Sequence, residues 1–362
     1  HCAYCLASLD NHVRFFPLEK VKAELSYLME KGGKTFKFLD RTFNVDDQRA
    51  IDLVDFIIRN HRNGMSFQFE ITGEILSDRF VDFINEHAPK HLFRFEIGIQ
   101  SVNTKSNLAV GRKQDNEKLF DIIRKIESAG VINLHLDLLA GLPYEDIDSF
   151  QKTFDLAYAL GAKELQLGFL KLLRGTSLRK NALQYGYVYN PQPPYEITES
   201  SWLSSEDIGI IRNVEQALNV YWNKNFMTET MTKISRIVPS MFDFFRSLFD
   251  YYRQYGYDFH CYQLKDVFER LNDFLATRYP DIHKDVFPII KKDYLSRHRI
   301  KPEIWWKDTR EVRKRLMNII LETDSSFSPD YLRKYGVATD CGGEILLVMY
   351  LPDNTVVRTY GK

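Results

Sequence analysis

Between residues 18 and 169 the hydrophobic period switches repeatedly between helical and extended, and that alternation constrains the fold more than any other feature. Amphipathic helices are expected over 18–31 (stopped by Gly32 and Gly33), 46–61, 77–87, 116–128 and 146–160. Ile51, Val54, Phe56, Ile57 and Ile58 carry the apolar stripe of the second. Strand patterns fall between them at 34–39, 66–71, 92–99, 131–139 and 164–169. Strands joined through helices run parallel, because an antiparallel neighbour needs only a tight turn. The expected fold class is α/β, with a parallel sheet left open or rolled into a barrel.

Polar residues gather where these strands end. Asp40, Glu70, Gln100 with Ser101, and Asp137 each lie at or near a carboxyl end. Ligands bind at that edge of parallel sheets and barrels, because strand ends and the following loops converge there. Any one of these residues could instead be a helix cap; four positions on one edge argue for a site. Near the amino end, Cys2-Ala3-Tyr4-Cys5 sets two thiols a short turn apart. That spacing suits an iron–sulfur loop, half a zinc site or a redox pair. Zinc would need two more ligands from among His1, His12, Cys261 and Cys341. Cys261 and Cys341 have no ligand-spaced partner and read as ordinary thiols, and His135 reads as a core or rim histidine.

The chain has 362 residues, 44% of them hydrophobic, which suffices for one large domain and a smaller one. Its 49 basic and 49 acidic side chains cancel, which argues against a protein built to coat nucleic acid or an anionic membrane. No apolar run is long enough to span a bilayer. Four cysteines are too few for a disulfide scaffold, so a reducing cytoplasm is the expected compartment.

Three segments together resemble the radical S-adenosylmethionine (SAM) enzymes. His1-Cys2-Ala3-Tyr4-Cys5 is similar to the end of the family's CxxxCxxC cluster loop. The others are Phe95 to Asn103 with Gly111-Arg112, and Asp137-Leu138-Leu139-Ala140-Gly141-Leu142-Pro143 with Glu145 and Asp146. These two are most similar to the branch containing oxygen-independent coproporphyrinogen oxidase and the cobalamin-associated members. The resemblance implies a partial (β/α)6 TIM-like barrel over 1–185, with strand 1 and the first cluster cysteine expected ahead of His1. It implies a 4Fe–4S cluster held in part by Cys2 and Cys5, with SAM bound beside it. Reductive cleavage of SAM would give a 5′-deoxyadenosyl radical acting on an unidentified small-molecule substrate, with flavodoxin or ferredoxin as electron donor. Cobalamin, carried by an N-terminal domain outside this chain, is a further candidate cofactor.

By the same resemblance, Tyr4 lies against the adenine, and Glu70 and Arg112 meet the methionine ammonium and carboxylate. Gln100 and Asp137 match the ribose contacts with Ser101 nearby, while Leu139 and Gly141 match positions where backbone approaches the adenine. Asp40 stands where the family has Gly-Gly-Glu-Pro and is assigned to the SAM amino group. Asp137 and Arg112 are expected to serve SAM and not the fold. A chain that starts inside the cluster loop is expected to be inactive by itself.

Residues 173–178 resemble the family's Pro-Gly-Thr-x-Leu exit from the last barrel strand, with Arg174 in place of the proline. Residues 186–203, rich in Tyr, Pro and Asn, read as a linker or lid. Residues 204–362 read as an α-rich domain with helices at 205–222, 239–254, 261–277 and 309–322 and a terminal β-hairpin from 343–350 and 355–360. Its makeup resembles the domain that accompanies cobalamin-associated radical SAM proteins. Arg297, Arg299, Lys301, Lys307, Arg310, Arg313, Lys314 and Arg315 interleave with Glu303, Asp308 and Glu311, the pattern of a solvated helix face. One rival reading is an RNA-modifying enzyme that uses this stretch on phosphates. The other is a non-catalytic zinc- or partner-binding relative.

Overall fold

Residues 2–10 and 12–361 are described by the computed structural model, and the chain divides into two units, His1–Glu215 and Gln216–Lys362. The first unit runs from a 3₁₀ turn (Leu6–Leu9) into α1 (Leu18–Glu30), β1 (Thr35–Lys37), α2 (Asp47–Asn60), β2 (Ser66–Ile71) and α3 (Asp78–His87). It continues through β3 (Phe93–Gln100), α4 (Thr104–Ala109), α5 (Asn116–Ala129), β4 (Asn133–Ala140), α6 (Ile147–Tyr158), β5 (Glu164–Phe169) and α7 (Ser177–Lys180). Among the described residues, β1 to β5 pair in sequence order, all parallel, as a curled half-barrel of 5 strands. Side chains start the helices: Asp46, Ser77, Asp115 and Asp146 accept the backbone N–H of Arg49, Phe80, Lys118 and Ser149.

Alternation then sorts the two faces of the sheet. Phe67, Phe69, Phe93, Phe95, Leu134, Leu136, Leu165 and Leu167 are buried on the helix side. There Phe80 of α3 stacks on Phe95 with centroids 6.0 Å apart, and Phe43 lies 4.1 Å from Phe69. Each such side chain contributes roughly 1.5–3 kcal/mol through burial. Gln68, Glu70, Arg94, Glu96, His135, Asp137 and Glu164 take the intervening positions, so the opposite, concave face is polar.

The 186–203 segment forms β6 (Val188–Tyr189) and β7 (Ile197–Glu199), an antiparallel pair. It is bound to the barrel rim by Leu172 N–H to the Tyr195 carbonyl (2.9 Å) and Ile197 N–H to the Leu170 carbonyl (3.0 Å).

The unit boundary falls within α8 (Ser205–Leu218), which passes into a π-helical turn (Asn219–Asn223). The second unit then holds α9 (Thr228–Ser235), α10 (Met241–Tyr255), α11 (Leu264–Arg278), α12 (Pro280–Ser296), α13 (Arg310–Thr323) and α14 (Pro329–Tyr335). It ends in β8 (Gly336–Cys341), β9 (Glu344–Tyr350) and β10 (Thr355–Gly361). The expected hairpin is thus part of a three-stranded antiparallel sheet, order β10-β9-β8. Leu316, Ile320 and Leu332 pack against Ile345, Leu347 and Met349 beneath it. Helix α12 was not expected from sequence, because it runs through Pro288, which ordinarily breaks a helix interior. Burial of Val286, Ile290, Tyr294 and Leu295 holds it together. Among the described residues, no helix is long and apolar enough to cross a membrane.

Candidate active site

Main-chain bonds build the cysteine turn. Cys5 N–H donates to the Cys2 carbonyl (3.0 Å), and both cysteines are half-buried and outside any disulfide among the described residues. Ala3, between them, donates its N–H to the Val110 carbonyl after α4 (2.8 Å) and accepts from Leu178 N–H in α7 (3.0 Å). Both anchoring segments follow carboxyl ends of strands, β3 and β5, so the turn lies at the sheet's carboxyl edge. Tyr4 hydrogen-bonds Cys2; burial, then the neighbouring thiol, pushes its phenol well above the usual value, while Arg112 pulls the other way. Among the described residues, no cluster of three or more His, Cys, Asp and Glu side chains forms a metal donor set. The candidate ligand His1 lies outside the described residues, and exposed His12 pairs with Asp10 at 3.5 Å. Two thiols on one tight turn fit part of a thiolate-held iron–sulfur cluster; a third would have to come from outside the described residues.

The strand-end residues differ in how far the fold already occupies them. Asp40 is exposed beyond β1. The Glu70 carboxylate makes no hydrogen bond among the described residues; burial, then Glu96, pushes it up, and Asp137 adds to this. Gln100 sits in the left-handed region (φ 65°) at a register shift in the β3–β4 ladder. Such a bulge re-aims a strand end. Its amide folds over Gly98, where an added Cβ would come within 2.3 Å of Nε2. Leu139 is half-buried on the face that carries Asp137.

Arg112 and Asp137, expected to serve SAM, also make bonds within the fold. Arg112 Nη2 donates to Glu74 (3.0 Å) and to the Gly98 carbonyl (2.6 Å), and Nε donates to Gln114 (2.6 Å). Its Nη1 makes no bond among the described residues. Asp137 Oδ1 lies 2.9 Å from His135 Nε2.

That histidine is the centre of a charged chain across the concave face. Its Nδ1 lies 3.3 Å from Glu164, with Arg94 Nη2 against it, while Arg94 grips Glu164 through two bonds of 2.6 Å. Burial pushes the imidazole down, but hydrogen bonds to Asp137 and Glu164 outweigh it and hold the ring up at about 9. The bond from His135 leads in holding Glu164 down to about 2, with Arg94 adding to it. Glu96 accepts from Gln68 (2.6 Å) beside this chain. Sequence reasoning passed over Arg94, Glu96 and Glu164; the signal was polar residues spaced by two inside otherwise apolar strands.

Ser101 and Gly141, expected at the cofactor, make contacts between loops. Ser101 is 0% exposed; its Oγ donates to Glu145, which also accepts from Thr153 (3.2 Å). Ser101 therefore clamps the β3 loop to the β4 loop. Glu145 is also 0% exposed, burial pushes it up to about 7, and its Oε2 has no partner among the described residues. Gly141 adopts φ 99°, and a Cβ there would come within 2.1 Å of Ile197. Its carbonyl accepts from Tyr187 (2.8 Å), so hairpin packing explains the glycine. Where Gly-Gly-Glu-Pro was absent, buried Asn44 pairs with the backbone of Thr72 through bonds of 2.9 and 3.0 Å. The pairings of Asn44 and Glu145 were not legible, because Thr72 and Ser101 are distant in sequence.

Residues 1–157 match the model of the radical SAM superfamily. Residues 183–338 match a second family, described as a protein of unknown function (DUF4080). The tRNA-2-methylthio-N(6)-dimethylallyladenosine synthase of Rickettsia bellii (strain RML369-C) is 26% identical over 164 residues, covering 43% of this chain and 37% of that protein. The uncharacterized protein YtqA of Bacillus subtilis (strain 168) is 27% identical over 107 residues, 30% of this chain and 33% of that protein. The chain thus spans about a third of the length of these curated relatives. Among solved structures, the radical SAM methyltransferase TsrM from Kitasatospora setae overlaps 54% of this chain and 40% of its own, at 18% identity and TM-score 0.46. Coproporphyrinogen III oxidase (HemN) from Escherichia coli overlaps 59% and 55%, at 15% identity and TM-score 0.37.

Proposed function

We propose that this chain carries the SAM-cleaving and substrate-processing part of a cytoplasmic radical SAM enzyme acting on a small organic molecule. The observation that supports this reading is the cysteine turn, bound through Ala3 to loops after β3 and β5 on the edge where Glu70, Gln100 and Asp137 also end. Cys2 and Cys5 would hold two irons of a 4Fe–4S cluster. When bound, that cluster supplies the electron that cleaves SAM and so starts hydrogen abstraction. The chain's own groups bind and orient. Glu70, without a hydrogen-bond partner among the described residues, and exposed Asp40 offer acceptors to the SAM ammonium. Arg112 Nη1 is left for the carboxylate. Gln100 and Asp137 Oδ2 suit the ribose hydroxyls, and Tyr4 and Leu139 the adenine. Ser101 and Gly141 keep the loops in place. Flavodoxin or ferredoxin would deliver the electron, and cobalamin is a candidate second cofactor.

Anaerobic reconstitution of the full-length protein should give a broad absorption near ~400 nm, as thiolate–iron clusters do, and 5′-deoxyadenosine on adding SAM and reductant. Cys2→Ala or Cys5→Ala should abolish both. Uptake of one zinc and no iron by the unsubstituted protein would refute the reading. A second reading, an RNA substrate, draws on the Rickettsia relative's name and on exposed Arg310, Arg313, Lys314 and Arg315 of α13. It requires RNA binding that falls steeply with salt and is lost on replacing residues 313–315.

A further inference from the structure

The exit from β5 carries positive charge that no carboxylate offsets among the described residues. Arg174, Arg179 and Lys180 line a cavity of about 490 Å³ with Gly175, Thr176 and Tyr189. No carboxylate lines it, and none of the three cations forms an ion pair among the described residues. Arg179 gives one N–H to the Leu172 carbonyl (2.7 Å), and its guanidinium lies 5.1 Å from the Tyr189 ring centre and 4.6 Å from that of Tyr195. Arg174 covers the same Tyr195 ring at 5.4 Å. Stacking steadies both guanidiniums yet leaves N–H groups to spare; the Arg174 and Lys180 side chains make no hydrogen bond among the described residues. Arg174 also stands where the exit motif would have proline, so the turn itself does not call for a cation. Tyr189 and Tyr195 fall inside the second family's match, and the three cations lie in the stretch between the two matches.

We propose that this cavity is an oxyanion subsite holding the phosphate group of a small-molecule substrate; calling the ligand a substrate rests on the radical SAM reading. Three uncompensated cations suit a phosphate dianion, whereas a single carboxylate leaves two positive charges unpaired. Ser177 and Leu178, in the same turn, bond Ala3 between the two thiols, so a phosphate gripped here tethers the far end of the substrate beside the cysteine turn. Binding through a non-reacting group orients the reacting one.

Calorimetric titration of the full-length protein with inorganic pyrophosphate at low salt tests this. It needs neither cluster nor SAM, so its failure is distinguishable from failure of the radical SAM reading. Saturable binding is expected, weakened roughly 10-fold or more in Arg174→Gln/Lys180→Gln, since each lost charge-assisted bond is worth about that factor. Those two side chains have no hydrogen-bond or ion-pair partner in the fold, so the melting temperature should hold. Arg179→Lys keeps the charge but not the fork and should also weaken binding. Absence of saturation, acetate binding as tightly as pyrophosphate, or a single-stranded RNA that binds and resists competition by pyrophosphate would each overturn the proposal.

Discussion

Replacing His135 by Gln removes the titrating group from the charged chain while keeping a donor toward Asp137. The ring has a side chain only 9% exposed, so solvent screens it little. Its ionisation moves from 6.5 to about 9 on folding. At 1.36 kcal/mol per pKa unit this corresponds to roughly 3 kcal/mol of stability. The sign follows from which state binds the proton. Below pH 6.5 both states are protonated and the contribution is complete; between 6.5 and 9 only the folded state holds the proton; above 9 the contribution is lost. Linkage leaves about 2 kcal/mol at pH 7.5. Urea denaturation followed by pulse hydrogen exchange in residues 133–140 and 164–169 reads the relevant unit. The deficit of His135→Gln should be largest at pH 6 and nearly vanish by pH 9.5. A deficit that stays constant, or grows, with pH would refute the reasoning.

Glu145→Gln should behave oppositely. Burial pushes the native carboxyl up to about 7, above its unfolded value, so ionisation costs stability increasingly from pH 4.5 to 7 and fully beyond. The Gln variant should therefore gain on the parent as pH rises from 5 to 8 in denaturation curves, and an unchanging difference would count against a buried neutral acid. Gly141→Ala should destabilise the first unit by roughly 1–3 kcal/mol, from overpacking against Ile197 at positive φ, with early proteolysis inside residues 186–199. Normal stability would show that the hairpin yields freely. Arg112→Lys should lower both SAM affinity and apo-protein stability, each by roughly 1–3 kcal/mol, because Glu74, Gly98 and Gln114 lose a fork that Lys does not reproduce. Calorimetry of SAM binding and thermal melts separate the two, and an unaffected melt would restore a purely ligand-binding role.

The barrel was legible because its strands carry a simple rule, apolar toward helices and polar toward the concave face, and because Gly, Asp and Ser punctuate the joins. The site was legible only as positions. Asp137 shows why: a carboxylate at a strand end needs a partner, and SAM was the one the resemblance supplied. His135 stands two residues earlier on the same face and reaches it first. Ser101 looked like a ligand because it follows Gln100, but its partner Glu145 lies 44 residues further along and turns it inward. Helix α12 was hidden by Pro288, whose cost is offset by apolar packing that no local pattern displays. Strand β8 escaped because its partner rows become visible only once Gly342 and Gly343 turn the chain back at positive φ.

The anchoring of Ala3 has a consequence for how freely this sequence can drift. Its bonds to Val110 and Leu178 run from main chain to main chain, so they are indifferent to which side chains occupy those three positions. Point substitutions there should leave the spatial phase of the two thiols intact. What the arrangement does not tolerate is a change in chain length between residues 3 and 110 or 3 and 178 that shifts either peptide, or a proline at position 3 or 178, which deletes a donor outright. The cysteine turn is thus protected against mutation by letter and vulnerable to mutation by insertion, deletion or imino acid.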